Sequence, residues 1–217
     1  MAPSKAGVPA EAPKHCPLCP RLVAYRQANA RATPEGFNGA VPSFGDPHAE
    51  LLVVGLAPGR GGANTTGRPF TRDYAGELLY GTLKKYGFAT GEYRADPNDG
   101  LTLVRAMITN AVRCAPPENK PTPAEIAACR PFLDARMTAL PRLRVLIALG
   151  SIAHESVLRA HGLKPTAHKF GHGAEAPLPN GHTLLSSYHC SRYNTQTKRL
   201  TAEMFEAVFA RAAALLS

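Results

Sequence analysis

The stretch that decides the fold is ELLVVGLAP, residues 50–58, running on into GRGGANTTGRPFTRD, residues 59–73, and YAGELLYGTLKKYG, residues 74–87. The first segment is a short continuous apolar run closed by turn formers, as expected of a strand buried on both faces of a parallel sheet. The second is a glycine-rich loop. In the third, Leu78, Leu79, Leu83 and Tyr86 recur at helical spacing, so the unit reads strand, loop, helix. The pattern then repeats. RAMITNAV (105–112) is a second strand, and TPAEIAACRPFLDARMTAL (122–140) is a helix with Thr122 as N-cap and Glu125 three residues on. RVLIALG (144–150) is a third strand, SIAHESVLRAHG (151–162) a helix capped by Ser151, and HTLLSSYH (182–189) a fourth strand. LTAEMFEAVFARAAALL (200–216) closes the chain as an amphipathic helix with Met204, Phe205, Val208 and Leu215 facing inward. An earlier run, RLVAYRQANAR (21–31), is helix-compatible through Leu22, Val23 and Tyr25.

This alternation predicts an α/β fold, a three-layer α/β/α sandwich around a roughly four-stranded, mainly parallel sheet. Ligands of such sheets bind at the carboxyl ends of the strands. The loops to search therefore follow Gly55, Asn110, Gly150 and Ser187.

The chain has 217 residues, enough for one core. The expectation is a disordered tail over 1–14 and a single domain over 15–217. Hydrophobic residues make up 44% and charged residues 19%, which suits a globular chain and excludes fibrous repeats. No apolar run reaches membrane-spanning length, and the N-terminus has no secretory pattern. Lys plus Arg outnumber Asp plus Glu, 25 to 16, a net charge of +9 that suits polyanionic partners.

The five cysteines are too few and too unevenly placed for a disulfide scaffold. With no export signal, a reducing, cytoplasmic setting is expected, where thiols stay free for metals or catalysis. Cys16 and Cys19 form a CxxC, and Cys114 and Cys129 bracket a distant loop. Four thiolates of this kind hold either zinc or a [4Fe–4S] cluster, and spacing does not choose between them. Cys190, next to His189, is the odd one out.

Three loops carry groups suited to gripping a flat ring. The glycine-rich loop lacks GxxxxGK[ST] and GxGxxG, so it is no nucleotide fingerprint. Phe70 lies among Gly, Thr and Arg as a stacking platform or a core anchor, with the Asp73 carboxylate close behind. Asn110 ends the second strand, where a planar amide can read the edge of a base or satisfy a turn. His189 follows the fourth strand, at the same end of the sheet.

Together these segments resemble the uracil-DNA glycosylase superfamily, most closely its iron–sulfur B-type branch, family 5, over nearly the whole chain. Gly55 to Gly59 followed by Phe70 resembles the first active-site motif, and GANTTGRPFTRD is close to the branch's GxNRTGRxFTGD. TNAVRC resembles the segment that bears the uracil-reading Asn, and YHCSRYNTQTKRLT resembles the loop that carries the catalytic His and ends in TxRLT. Two departures stand out: Cys190 replaces the usual proline and Arg72 the usual glycine.

The resemblance implies an enzyme that flips a deaminated base out of single- or double-stranded DNA and hydrolyses its bond to the sugar. It implies that Phe70 stacks the base, Asn110 reads its edge, and His189 donates to its O2, with Leu56, Gly59 and Gly62 offering backbone amides. Ala57 occupies the position of the water-activating Asp or Asn of other branches, so the catalytic carboxylate falls to Asp73. Arg192 and Tyr193 would enter the gap left by the base, and Arg60, Arg68, Lys84 and Lys85 would meet phosphates. By the same likeness Cys16, Cys19, Cys114 and Cys129 would hold a [4Fe–4S] cluster rather than zinc. A monomer near the nucleoid of a bacterium or archaeon is expected. Hypoxanthine and xanthine join uracil as candidate bases. A metal-stabilised nucleic-acid module without catalysis and an iron–sulfur electron carrier are the alternatives.

Overall fold

A computed structural model describes residues 9–217 of the chain. Helix α1 (Pro20–Ala32) begins with proline, whose missing N–H is not needed in a first turn. Strands β1 (Phe44–Gly45) and β2 (Leu51–Gly55) come next, then the short helix α2 (Ala63–Thr66) and helix α3 (Tyr74–Lys85). Strands β3 (Ala89–Thr90) and β4 (Thr102–Leu103) pair as a separate hairpin. Strand β5 (Ala106–Asn110), helix α4 (Pro123–Thr138), strand β6 (Val145–Leu149) and helix α5 (Ser151–Ala160) follow in turn. The chain ends with β7 (Glu175–Pro177), β8 (Thr183–Ser187), α6 (Arg192–Gln196) and α7 (Ala202–Leu216).

The main sheet has six strands in the order β1-β5-β2-β6-β8-β7. The inner four are parallel and are the four expected from the sequence, while β1 and β7 add antiparallel edges. The sheet is thus wider than expected. Its edge strands are two and three residues long, too short to show an apolar run.

Because β2 is buried on both faces, its residues alternate between two layers. Leu51 and Val53 join Leu79 and Leu83 of α3 and Phe205 and Phe209 of α7 on one side. Leu52 and Val54 join Leu133 of α4 and Val157 of α5 on the other. Each fully buried Leu or Val contributes about 1.5–3 kcal/mol relative to exposure. Neighbouring strands β2 and β6 therefore send their helices to opposite faces, which opens a crevice at their carboxyl ends.

Helix starts follow the sequence closely in one case and not in another. Thr122 caps α4 in a full capping box: its hydroxyl accepts from Glu125 N at 3.3 Å, and the Glu125 carboxylate accepts from Thr122 N at 2.7 Å. Ser151 does not cap α5. The cap is Gly150 at φ +96°, with no side-chain bond, and Ser151 is the first helical residue. In α7 the fully inward side chains are Phe205, Val208, Phe209, Ala212 and Leu216, with Met204 and Leu215 at the margin of the core.

Of the segment expected as a tail, residues 1–8 lie outside the described residues, and residues 9–14 lie against the domain. Ala12 is buried. The Glu11 carboxylate bonds the fully buried Arg113 guanidinium at 3.1 Å and Arg136 at 2.6 Å. A buried guanidinium demands such a partner. Among the described residues no helix is long and apolar enough to cross a membrane.

Candidate active site

The carboxyl ends of β2, β5, β6 and β8 surround a cavity of about 470 Å³. Phe70, Asp73, Asn110 and His189 all line it, as do Leu56, Ala57 and Gly59. The sequence placed these residues on three separate loops, and the structure brings them together.

Gly55 and Asn110 are direct partners in the parallel ladder. A Cβ on Gly55 would lie 2.4 Å from Asn110 Oδ1 and 2.7 Å from the tip of the Phe70 ring. Glycine is required there so that amide and ring can meet over the strand end. The Phe70 ring in turn lies nearly parallel to the His189 imidazole, with 5.8 Å between centroids and 23° between planes.

Two of these residues keep a buried polar atom with no partner, Oδ1 of Asn110 and Nδ1 of His189. An unpaired buried polar group costs about 1–3 kcal/mol, so such atoms persist where a ligand completes them. Burial also pushes the His189 imidazole down to about 4, so at neutral pH it is an uncharged donor. Its carbonyl accepts from Asn194 Nδ2 at 2.8 Å, which fixes the loop after β8. That loop continues into α6, capped by Ser191, and leaves Arg192 and Tyr193 on the surface, Tyr193 at 70% exposure.

Asp73 occupies the N-cap position of α3 yet makes no side-chain cap there. Its carboxylate turns back to the glycine-rich loop, where Oδ2 accepts from Ala63 N at 3.3 Å. A Cβ on Gly59 or Gly62 would lie 2.4 or 1.9 Å from Oδ1, so both glycines exist to admit this side chain. Desolvation raises its pKa against the opposing Ala63 bond. The Gly62 amide itself is taken by Gly59 O at 3.3 Å, so it is not free to hold a base or phosphate.

Arg72 adopts φ +60°, the conformation that glycine takes readily. Cys190 is fully buried, with Sγ 3.6 Å from the Ala75 carbonyl.

Arg68 points into the interior rather than to solvent. It is 4% exposed and grips Asp99 with two bonds of 2.8 and 2.7 Å, enclosed by the rings of Phe44, Tyr80 and Tyr93. Lys85 is exposed but paired with Glu206 at 2.6 Å. Arg60, Lys84 and Arg192 are exposed. Asn119 and Tyr74 also line the cavity and were not foreseen. Asn119 comes from the loop between Cys114 and Cys129, where it and Glu118 are both left-handed (φ 57° and 54°); the only cue in the sequence was the Pro-rich turn around it.

Cys16, Cys19, Cys114 and Cys129 line one small void beside the active site, all four with free thiols. Arg26 Nη1 donates to Cys114 Sγ at 3.6 Å, and Arg113 N to Cys129 Sγ at 3.2 Å. Ala57 packs against the same cluster, and Cys114 is only four residues past Asn110.

A stacking ring, an amide and a neutral imidazole over one cavity of a parallel sheet describe an α/β enzyme that grips a planar heterocycle. The family model described as the uracil DNA glycosylase superfamily matches residues 42–213, and the chain belongs to that superfamily. It is 50% identical over 196 residues to a type-5 uracil-DNA glycosylase of Thermus thermophilus, covering 88% of this chain and 89% of that one. A type-5 uracil-DNA glycosylase of Mycobacterium bovis is 40% identical over 205 residues, with 91% and 76% covered. One from Pyrobaculum aerophilum is 38% identical over 204 residues, with 92% and 88% covered. The chain is accordingly a DNA N-glycosylase, of the family that excises uracil in DNA repair.

Proposed function

We propose that this chain flips uracil and other deaminated bases, hypoxanthine and xanthine among them, from DNA into the cavity at the sheet's carboxyl end and hydrolyses the base–sugar bond. The observation that carries the reading is the pair of unpartnered buried atoms on Asn110 and His189 beside the Phe70 ring. Phe70 stacks the flipped base, and Asn110 accepts from its edge N–H through the free Oδ1. His189, neutral at working pH, donates to the carbonyl O2 and stabilises the charge that develops as the base leaves, a role worth a few kcal/mol. Asp73, held by Ala63 N–H, faces the sugar and orients water or stabilises its cationic transition state. Ala57 offers no group for that task. A cavity of about 470 Å³ supports counting purines beside pyrimidines among its bases.

Cys16, Cys19, Cys114 and Cys129 are proposed to hold a [4Fe–4S] cluster. Four thiols with a guanidinium and an amide donating to two of them form the donor set and outer shell that such clusters use. The cluster would brace the loops that carry Ala57 and Asn110.

The test is release of free base from defined oligonucleotides carrying uracil, hypoxanthine or xanthine, in single strands and duplexes. The Asn110→Ala and His189→Ala variants lower the rate by at least tenfold. Rates within about threefold of wild type, less than about 0.7 kcal/mol of barrier, overturn the assigned roles.

A further inference from the structure

The loop that carries the stacking ring is held in a conformation its own residues disfavour. Phe70 and Arg72 have φ of 55° and 60°, left-handed values that a Cβ opposes. Such geometry persists only when its surroundings over-determine it, and here they do. Tyr80 OH donates to Pro69 O at 2.6 Å, and Tyr93 OH donates to Phe70 O at 3.1 Å. Thr71, fully buried, accepts from Arg68 Nε at 2.7 Å. Arg68 is anchored on Asp99, which also accepts from Arg94 N and Leu101 N, both at 3.0 Å.

Tyr93, Arg94 and Asp99 all belong to the 91–101 loop that joins β3 to β4. The rings of Tyr80 and Tyr93 stack at 4.7 Å and 25°. Helix α3 closes in beside the bond from Tyr93 to Phe70: a Cβ on Gly76 would lie 2.1 Å from Phe70 O and 2.4 Å from Tyr93 Oη. Only a glycine at position 76 leaves room for the Tyr93 hydroxyl to reach the Phe70 carbonyl.

We propose that the 91–101 loop is a clasp that sets the Phe70 ring parallel to His189, and that Tyr93 is the positioning residue through which it acts. This rests on the proposed stacking role of Phe70. Burial pushes the Tyr93 phenol up to about 12, so the hydroxyl remains a donor throughout the working pH range.

The experiment is steady-state excision on a uracil oligonucleotide with wild type, Tyr93→Phe, Phe70→Leu and the double variant, each with a melting curve. Stacking acts on ground and transition states alike, so its loss falls on KM. Tyr93→Phe is expected to raise KM about three- to tenfold, part of what a base–aromatic stack contributes, with kcat within about twofold and the melting temperature near wild type. On the Phe70→Leu background the same change has no further effect on KM. An unchanged KM in Tyr93→Phe, whatever its stability, overturns the proposal. So does a full Tyr93→Phe effect in the absence of the ring. If Phe70→Leu itself leaves KM unchanged, the stacking role fails instead, a result distinct from failure of the clasp.

Discussion

Gly55 and Asn110 face each other across the β2–β5 ladder so closely that the Asn110 carbonyl oxygen occupies the space a side chain on Gly55 would need. The Phe70 ring crowds the same point. Gly55→Ala therefore forces the amide and the ring apart, and overpacking of this kind costs about 1–3 kcal/mol. Uracil excision should fall by about tenfold or more while the far-UV spectrum stays native. Activity equal to wild type would show that the amide and ring are not held by this contact.

Asp73 offers a paired test. Asp73→Asn removes the charge but keeps the shape, and should lower kcat by about a hundredfold or more with little change in KM, as for a group acting in the chemical step. Gly62→Ala should mimic it without touching the carboxylate's chemistry, because the new methyl would occupy the position of Oδ1. Single-turnover rates separate this from slower product release.

The parts of the site that were legible in the sequence are those set by local chemistry. Leu51 to Gly55 and Val145 to Leu149 read as strands because both faces are buried, so no polar residue interrupts them. Asn110 and His189 follow because each terminates or succeeds such a strand, and Phe70 because it is an aromatic set within the glycine-rich loop. The pairing of Arg68 was not legible for the opposite reason. A cation in a polar loop looks like a phosphate contact, and its partner Asp99 is 31 residues away on another loop. Edge strands, the clasp of residues 91–101 and the seating of Glu11 against Arg113 and Arg136 are likewise long-range events without a local pattern.

The buried imidazole makes stability depend on pH in a stated direction. His189 drops from the usual 6.5 to about 4 on folding, so between these values the unfolded chain binds a proton that the folded chain refuses. Stability is lost as pH falls from 6.5 towards 4, by up to about 3 kcal/mol if the whole shift is realised. His172 and His182, both lowered by burial, add to the same slope. The His189 share is isolated by comparing urea midpoints of wild type and His189→Gln at pH 7 and pH 4.5. The variant should lose less stability than wild type over that interval, and an equal loss would remove His189 as the source.

Replacing Cys129 by Ala should abolish the visible absorption expected of a bound [4Fe–4S] cluster and lower the melting temperature. The same substitution leaves Arg113 N without its sulfur acceptor. Iron and sulfide analysis of wild type decides the matter independently: four irons per chain support the cluster, and stoichiometric zinc refutes it.

Salt dependence tests which of the cations meet DNA. Each phosphate contact contributes about 0.9 to the slope of log affinity against log salt on duplex DNA. Arg60→Ala and Arg192→Ala, at exposed positions, should each reduce the slope by about one in filter-binding or anisotropy titrations. Arg68 behaves differently because its charge is spent on Asp99 in the interior. Asp99→Ala leaves a buried guanidinium uncompensated and should destabilise the fold by about 3–5 kcal/mol. The pair's replacement by Arg68→Met with Asp99→Leu should recover stability but not activity, since the bond to Thr71 and the shape of the Phe70 loop go with it. A salt slope that drops with Arg68→Met in the folded double variant would return that residue to the DNA interface.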